Sequence, residues 1–282
     1  MAHISGSDAS DAEAPEASAK SNKTESLTET GKRNAFTELM SSKTKQLKQP
    51  KPTKQNGLQK LVSKINLRDG LGVYIEHPET FPSSVVIYYN DDFVAINDLY
   101  PKSSLHLLLL PRDPSKFFLH PFDAFEDDQF LQKVRAEVKK LRTLAAGELR
   151  RRYGKYSSQE TARREAMEQD PPADDLPQGR DWEKELMVGI HAKPSMNHLH
   201  IHVLSVDRYS DKVKHRKHYN SFATPFFVDI DDFPLAQDDP RRDPGHYLKL
   251  DLICWRCSRN FGNKFQQLKE HLEEEYKEWK SL

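Results

Sequence analysis

The stretch His198-Leu-His-Ile-His-Val-Leu204 decides the reading of this chain. Successive side chains of an extended strand point to opposite faces. The spacing therefore predicts His198, His200 and His202 on one face, with Leu199, Ile201 and Val203 on the other. The apolar face would anchor the strand in a core, leaving three imidazoles side by side on a polar face. An unperturbed imidazole titrates at about pH 6.5, so such a row can supply a nucleophile, an acid or a base near neutrality. Two chemistries are open to it. One imidazole could attack phosphorus and form a covalent phosphoramidate. Alternatively, the His-x-His pattern could hold a zinc ion that activates water.

Working outward, Leu186-Met-Val-Gly-Ile190 and Leu199 to Val206 read as strands flanking a short polar connection. Upstream, Val85 to Tyr89, Phe93 to Ile96, and Leu105 to Leu110 before Pro111 read as three more, with a turn at Asn90-Asp-Asp92. Phe122 to Tyr153 carries apolar residues at 130, 131, 134, 138, 141 and 144, the spacing of one long amphipathic helix. Ser157 to Arg180 is polar and rich in proline near its end, which predicts an inserted, partly disordered loop. Strands, a helix and more strands make an α+β domain with a mainly antiparallel sheet.

The outer parts differ. Residues 1–57 contain a single aromatic, Phe36, and too little apolar surface to offset the entropy of ordering. They are predicted to be a disordered tail, within which residues 33–40 form an apolar island suited to docking a protein partner. Between Ser21 and Gly57 there are eight Lys/Arg against three Glu, a basic arm suited to nucleic acid or to a nuclear address. Leu58, Leu61, Val62 and Ile65 resume a helical spacing. The predicted organisation is a tail over 1–57, a catalytic domain over 58–225 with an insertion at about 143–182, and a linker and finger over 226–282. The 43 basic and 43 acidic residues cancel, so any nucleic-acid contact must come from a local basic surface. One such segment runs from Arg208 to His218, where five Lys/Arg face one Asp. No run reaches the roughly 18 apolar residues of a membrane helix, and no membrane partner is expected.

The only two cysteines lie in Cys254-Trp-Arg-Cys257, followed after thirteen residues by His271 and after three more by Glu275. This is the spacing of a structural zinc site with two thiolates on a knuckle. Asn263 to Trp279 reads as a helix, so His271 and Glu275, at i and i+4, share a face. Glu273 and Glu274 are alternatives at poorer helical angles.

The histidine row resembles the signature of the histidine-triad family, residue for residue, and that resemblance favours the nucleophile over the metal. It implies a compact fold of antiparallel sheet flanked by helices. It also makes His200, the middle histidine, the nucleophile that carries AMP, with His198 and His202 beside the phosphate and no catalytic metal. Asp98-Leu-Tyr-Pro-Lys102 and Leu105-His-Leu-Leu-Leu-Leu-Pro111 resemble the family's nucleotide-pocket strands. By this likeness Asp98 accepts from ribose hydroxyls and His106 stands near the active site. His191-Ala-Lys-Pro-Ser-Met-Asn-His198 is similar to the aprataxin branch. There His191 would assist the leaving group, Ser195 and Met196 would line the phosphate and nucleotide site, and Lys193 would add positive potential. Lys217-His-Tyr-Asn-Ser-Phe222 resembles that branch's DNA-backbone segment. It implies DNA contacts from Lys102, Lys193, Lys214, Lys217, His218, Tyr219, Asn220 and Ser221.

The finger, with Cys254, Cys257, His271 and Glu275 as ligands of one structural Zn²⁺, is similar to that of fungal members. The resemblance implies hydrolysis of AMP from adenylated DNA 5′ ends in single-strand break repair, and removal of guanosine caps from 3′ ends. Its substrates would be nicks, double-strand ends and RNA–DNA junctions, its products AMP or GMP, and its location the nucleus, with the cytoplasm also open. The rival readings are a small-molecule nucleotide hydrolase and a non-enzymatic zinc-finger DNA-binding protein.

Overall fold

The computed structural model describes residues 67–171 and 174–282. The tail, the island at 33–40 and the helical spacing over 58–65 lie outside these residues. The centre is a six-stranded antiparallel sheet in the order β1-β2-β3-β5-β4-β6. Its strands are β1 (Val86–Tyr89), β2 (Phe93–Asn97), β3 (His106–Pro111), β4 (Leu186–His191), β5 (Ile201–Ser205) and β6 (Phe227–Asp229). The period-two pattern sorts the side chains of the central strands cleanly. Leu107 and Leu109 of β3, Ile201 and Val203 of β5, and Val188 and Ile190 of β4 share one buried cluster.

Against that face lies the long helix. The chain first makes a short helix α1 (Gly72–Glu76) ahead of the sheet, a single turn α2 (Pro121–Ala124), and then α3 (Asp128–Tyr153). The break between α2 and α3 comes at Asp127, whose side chain caps α3 by accepting from the Phe130 amide at 3.1 Å. The stripe packed on the sheet is Leu131, Val134, Val138, Leu141, Ala145 and Leu149, each almost fully buried. Full burial of a Leu or Val is worth about 1.5–3 kcal/mol, so this stripe is the main bond between helix and sheet. Leu144, expected in the stripe, is 53% exposed; Ala145 takes the inward position instead.

The opposite face of the sheet holds Val94, Ile96, Leu108 and Leu110 under Leu71, Tyr74 and Ile75 of the α1 region. It also holds the alternate positions of β4 and β5, His191 and His202 among them. β3 ends at Pro111 as expected, with that residue itself paired to Phe93.

Two further departures concern organisation. The segment from Ser157 to Arg180 is not a loop throughout: α4 (Ser158–Met167) lies within it. Ser157 caps it by accepting from the Glu160 amide, so Ser157-x-x-Glu160 was a legible start signal. The boundary expected at 225/226 cuts through the sheet, because β6 pairs with β4 and Val228, Ile230, Phe233 and Leu235 join the sheet's main cluster. Gly189 makes that pairing possible. A Cβ there would lie 2.2 Å from the Val228 carbonyl oxygen. After β5 come helix α5 (Arg216–Ala223) and, in the finger, α6 (Phe265–Ser281). No helix among the described residues is long and apolar enough to cross a membrane.

Candidate active site and metal centre

Three antiparallel strands bring imidazoles to one face. Leu108 pairs with His202 and Gly189 pairs with His202 from the other side, so β3 and β4 flank β5. His106 enters from β3 and His191 from the end of β4. The His202 ring lies 5.1 Å from His106, 4.6 Å from His191 and 4.9 Å from His200. Phe222 of α5 covers the group, 4.5 Å from His191 and 5.2 Å from His202. The strand-alternation argument does not carry to His198. That residue precedes the regular strand, and its ring packs on Phe118 at 4.6 Å and Phe117 at 5.6 Å. Its Nε2 sits over Gly72, where a Cβ would come within 3.0 Å.

The hydrogen bonds assign the ring protons. His200 Nδ1 lies 2.7 Å from the His198 carbonyl oxygen, which can only accept. The Nδ1 proton is thus committed, and the Nε2 lone pair is the free nucleophilic one. His106 Nδ1 receives the Lys102 amide at 3.1 Å. Its Nε2–H then donates to His202 Nδ1 at 2.9 Å, which leaves the His202 proton on Nε2. That Nε2 is buried without a protein partner, as are His191 Nε2 and His198 Nδ1. A buried polar group without a partner costs about 1–3 kcal/mol, so three together mark a place shaped for a polar ligand.

Asp98 Oδ2 stands 3.2 Å from His106 Nδ1. With the Lys102 amide on His106 Nδ1 that contact is not a hydrogen bond of the neutral ring; His106 and His202 are bonded to each other, although the ligand atoms of Asp98, His106 and His202 lie within 4.8 Å of one another. The Nδ1 lone pairs of His106 and His202 are spent on the Lys102 amide and on the His106 Nε2–H. Burial is the main cause that holds all four rings neutral: His106 is pushed down to about 4, and His191, His200 and His202 are lowered as well. For His200 the carbonyl of His198 and the charge of Asp98 work against that fall.

The loop between β4 and β5 keeps Lys193, Ser195 and Asn197 exposed. It is tied down by Arg68, whose Nε donates to the Ser195 carbonyl at 3.0 Å, and by Asn197 Nδ2, which donates to Asp69 at 2.6 Å. Met196 packs beside the cluster of α1. Sequence reasoning passed over Arg68, Gly72, Phe118 and Phe222. Phe222 figured only as the end of the expected DNA-backbone segment, and nothing in local spacing marks the other three; in the structure Phe118 is 61% exposed beside His198.

The basic segment divides in two. Lys102 lies near enough to Lys212 and to His218 for their charges to act on one another, and Lys214 and Lys217 are exposed, so together they make a cationic rim. His218 Nδ1 receives the Lys214 amide at 3.2 Å. Tyr219 and Asn220, expected to touch DNA, instead face inward and are 1% exposed. The Tyr219 hydroxyl donates to the Ile253 carbonyl at 2.8 Å and accepts from the Trp255 amide at 3.0 Å. Asn220 Nδ2 donates to the Leu250 carbonyl at 2.7 Å. Ser221 is also buried and bonds the His218 carbonyl of its own helix. These residues join α5 to the finger; an amphipathic helix buries its polar side chains here because the finger's backbone offers them partners.

In the finger, the donor atoms of Cys254, Cys257, His271 and Glu275 lie within 4.8 Å of one another. Cys257 Sγ is 3.1 Å from His271 Nε2, and that nitrogen is 3.0 Å from Glu275 Oε1. Two thiolates, one imidazole and one carboxylate converging at this scale fit a tetrahedral Zn²⁺. The second oxygen of Glu275 takes Arg256 Nη1 at 2.6 Å, which orients the carboxylate. Glu273 instead pairs with Lys277, and Glu274 is exposed.

Sheet, histidine group and finger together define a hydrolase of the histidine-triad class that carries a structural zinc module. Family models agree: "HIT domain" matches residues 80–209, and "C2HE / C2H2 / C2HC zinc-binding finger" matches residues 223–278. The chain is 37% identical over 246 residues to the aprataxin-like protein of Schizosaccharomyces pombe, covering 87% of this chain and 94% of that one. It is 35% identical over 221 residues to the aprataxin-like protein of Saccharomyces cerevisiae, covering 75% and 97%. Among solved structures, that of the aprataxin ortholog Hnt3 in complex with DNA superposes with a TM-score of 0.62 at 36% identity, covering 76% of this chain and 96% of that chain. A second, of Hnt3 with DNA and guanosine, gives 0.60 at the same identity. The chain belongs to the aprataxin-like family.

Proposed function

We propose that this protein removes AMP from adenylated 5′ ends of DNA left by abortive ligation, and GMP from guanosine-capped 3′ ends, through a covalent nucleotidyl-His200 intermediate. In the first step His200 Nε2 attacks the AMP phosphorus. The N–P bond forms, the phosphoanhydride P–O bond breaks, and the DNA 5′-phosphate departs with its charge met by His191. In the second step water attacks the same phosphorus and gives up a proton to solvent, the N–P bond breaks with its electron pair returning to Nε2, and AMP leaves with His200 neutral again. The Nε2–H of His202 donates to a non-bridging oxygen in both steps, where negative charge builds.

The observation that carries this reading is the 2.7 Å bond from His200 Nδ1 to the His198 carbonyl, which commits one nitrogen and leaves Nε2 as the nucleophile. The exposed rim of Lys214 and Lys217 supplies phosphate attraction outside the pocket, and relatives solved with DNA support a polynucleotide as the carrier of the adenylate. The same reading includes nicks, double-strand ends and RNA–DNA junctions as substrates and a nuclear location, the latter on the basic arm of residues 21–57. Rapid quench into alkaline denaturant of enzyme mixed with adenylated nicked duplex tests it. An acid-labile AMP adduct should form on wild type and be absent from His200→Asn. An adduct that survives the substitution, or none on wild type, removes the assignment.

A further inference from the structure

The segment between α3 and β4 makes contacts that the chemistry of the pocket does not need. Its α4 meets the end of the finger helix: Ser158 Oγ donates to the Leu282 carbonyl at 2.8 Å, and the Gln159 amide reaches the same oxygen at 3.3 Å. Arg180, near the segment's other end, is the centre of a closed set. Its guanidinium lies between two indoles, 4.4 Å from Trp182 and 4.9 Å from Trp279. Arg180 Nη1 donates to the Trp279 carbonyl at 2.7 Å, and Nε to Glu185 at 3.1 Å. The other oxygen of Glu185 accepts from Trp279 Nε1 at 2.5 Å. Trp182 Nε1 in turn donates to Glu160 of α4 at 3.0 Å.

Trp279 is the reason this matters. Leu268 and Leu272 of α6 pack in the finger's own cluster, while Trp279, on the same helix, is buried in the main cluster of the catalytic sheet. At about 1.5 Å per residue, His271 and Trp279 are separated by about 12 Å along the axis. The finger is thus held at both ends, by Tyr219 and Asn220 near its knuckle and, at the far end of its helix, by Trp279 in the sheet's cluster with Arg180 closed over it and Tyr276 against Tyr153. One anchor would leave the module free to turn; two remove that freedom.

Resting on the substrate assignment above, we propose that Arg180 is a positioning residue for DNA-end hydrolysis, and that the segment carrying it braces the finger so that a duplex held there presents its end to His200. A planar fork between two rings is a role lysine cannot fill. With the brace loosened, the finger and the pocket no longer present one rigid surface to the duplex, and the gain from engaging both at once is lost.

The test uses the full zinc-loaded chain as wild type, Arg180→Lys and Trp182→Phe, with an adenylated nicked duplex and an AMP amide as substrates. For Arg180→Lys, kcat/KM on the duplex should fall about tenfold or more, through KM, because effective concentration is lost. Turnover of the AMP amide should stay within about twofold, as expected for a residue remote from the reacting atoms. Zinc content should be unchanged, and Trp182→Phe should move in the same direction by less. A parallel loss on both substrates, or no loss on either, overturns the proposal. If wild type consumes the AMP amide but spares the adenylated duplex, the substrate assignment fails by itself. The brace is then judged on unmodified nicked duplex, for which Arg180→Lys must still weaken affinity about tenfold, or it falls too.

Discussion

Tyr219→Phe separates two readings of one residue. As a DNA contact it would lose a phosphate hydrogen bond; as a buried strut it would lose two backbone partners. The hydroxyl donates to the Ile253 carbonyl at 2.8 Å and accepts from the Trp255 amide at 3.0 Å, on a side chain 1% exposed. Phenylalanine keeps the ring and strands both backbone groups. Each buried group left without a partner costs about 1–3 kcal/mol, and relaxation of the knuckle recovers part of it, so a net loss of about 2–3 kcal/mol follows. For a fold of this size that corresponds to about 4–12 °C in melting temperature. The assay is thermal and denaturant unfolding of the zinc-loaded chain, followed by duplex binding as a function of salt. Stability should fall by that amount while the slope of log affinity against log salt stays unchanged. A melting temperature within about 1 °C of wild type, too small for a lost buried pair, together with a shallower salt slope, would place the hydroxyl on a phosphate and refute the strut.

Three other outcomes follow from the same geometry. Buried His106 holds its proton only below about pH 4, whereas in the unfolded chain it titrates at about 6.5, so between those values the unfolded state binds more protons. Stability is complete above about pH 6.5 and falls on acidification by about 1.4 kcal/mol per unit from His106, with His191, His200 and His202 adding in the same direction; denaturant unfolding that is flat from pH 7 to 4 contradicts a neutral cluster. Gly189→Ala sets a methyl 2.2 Å from the Val228 carbonyl, which should part β6 from β4 and cost about 3 kcal/mol or more, read as a lower unfolding midpoint with the adduct yield of the surviving fold reduced. Chelating zinc, or Cys257→Ala, should release the knuckle that Tyr219 grips and abolish duplex affinity; retained affinity in the metal-free chain would count against the finger as a grip.

Local spacing was enough for much of this protein. A period of two in His198 to Leu204 divides imidazoles from aliphatic side chains on any regular strand, and Cys254, Cys257, His271 and Glu275 converge because a knuckle and one helical turn each have fixed dimensions. Alternation and helical spacing carried the α+β class in the same way. What local spacing does not contain is which face meets which partner. Tyr219 and Asn220 look like surface groups of a basic segment until the backbone of 250–255 is set against them, and the Tyr219 hydroxyl and the Asn220 amide nitrogen then find their partners inside. His198 precedes β5, where alternation no longer fixes its ring, and the chain offers it Phe117 and Phe118. Trp279 stands far from the sheet in sequence, and only the docking of α6 carries it into the catalytic core, with Arg180 closing over it. The physical reason is that repeats of two and 3.6 residues are properties of the backbone, whereas burial depends on surfaces that distant segments bring.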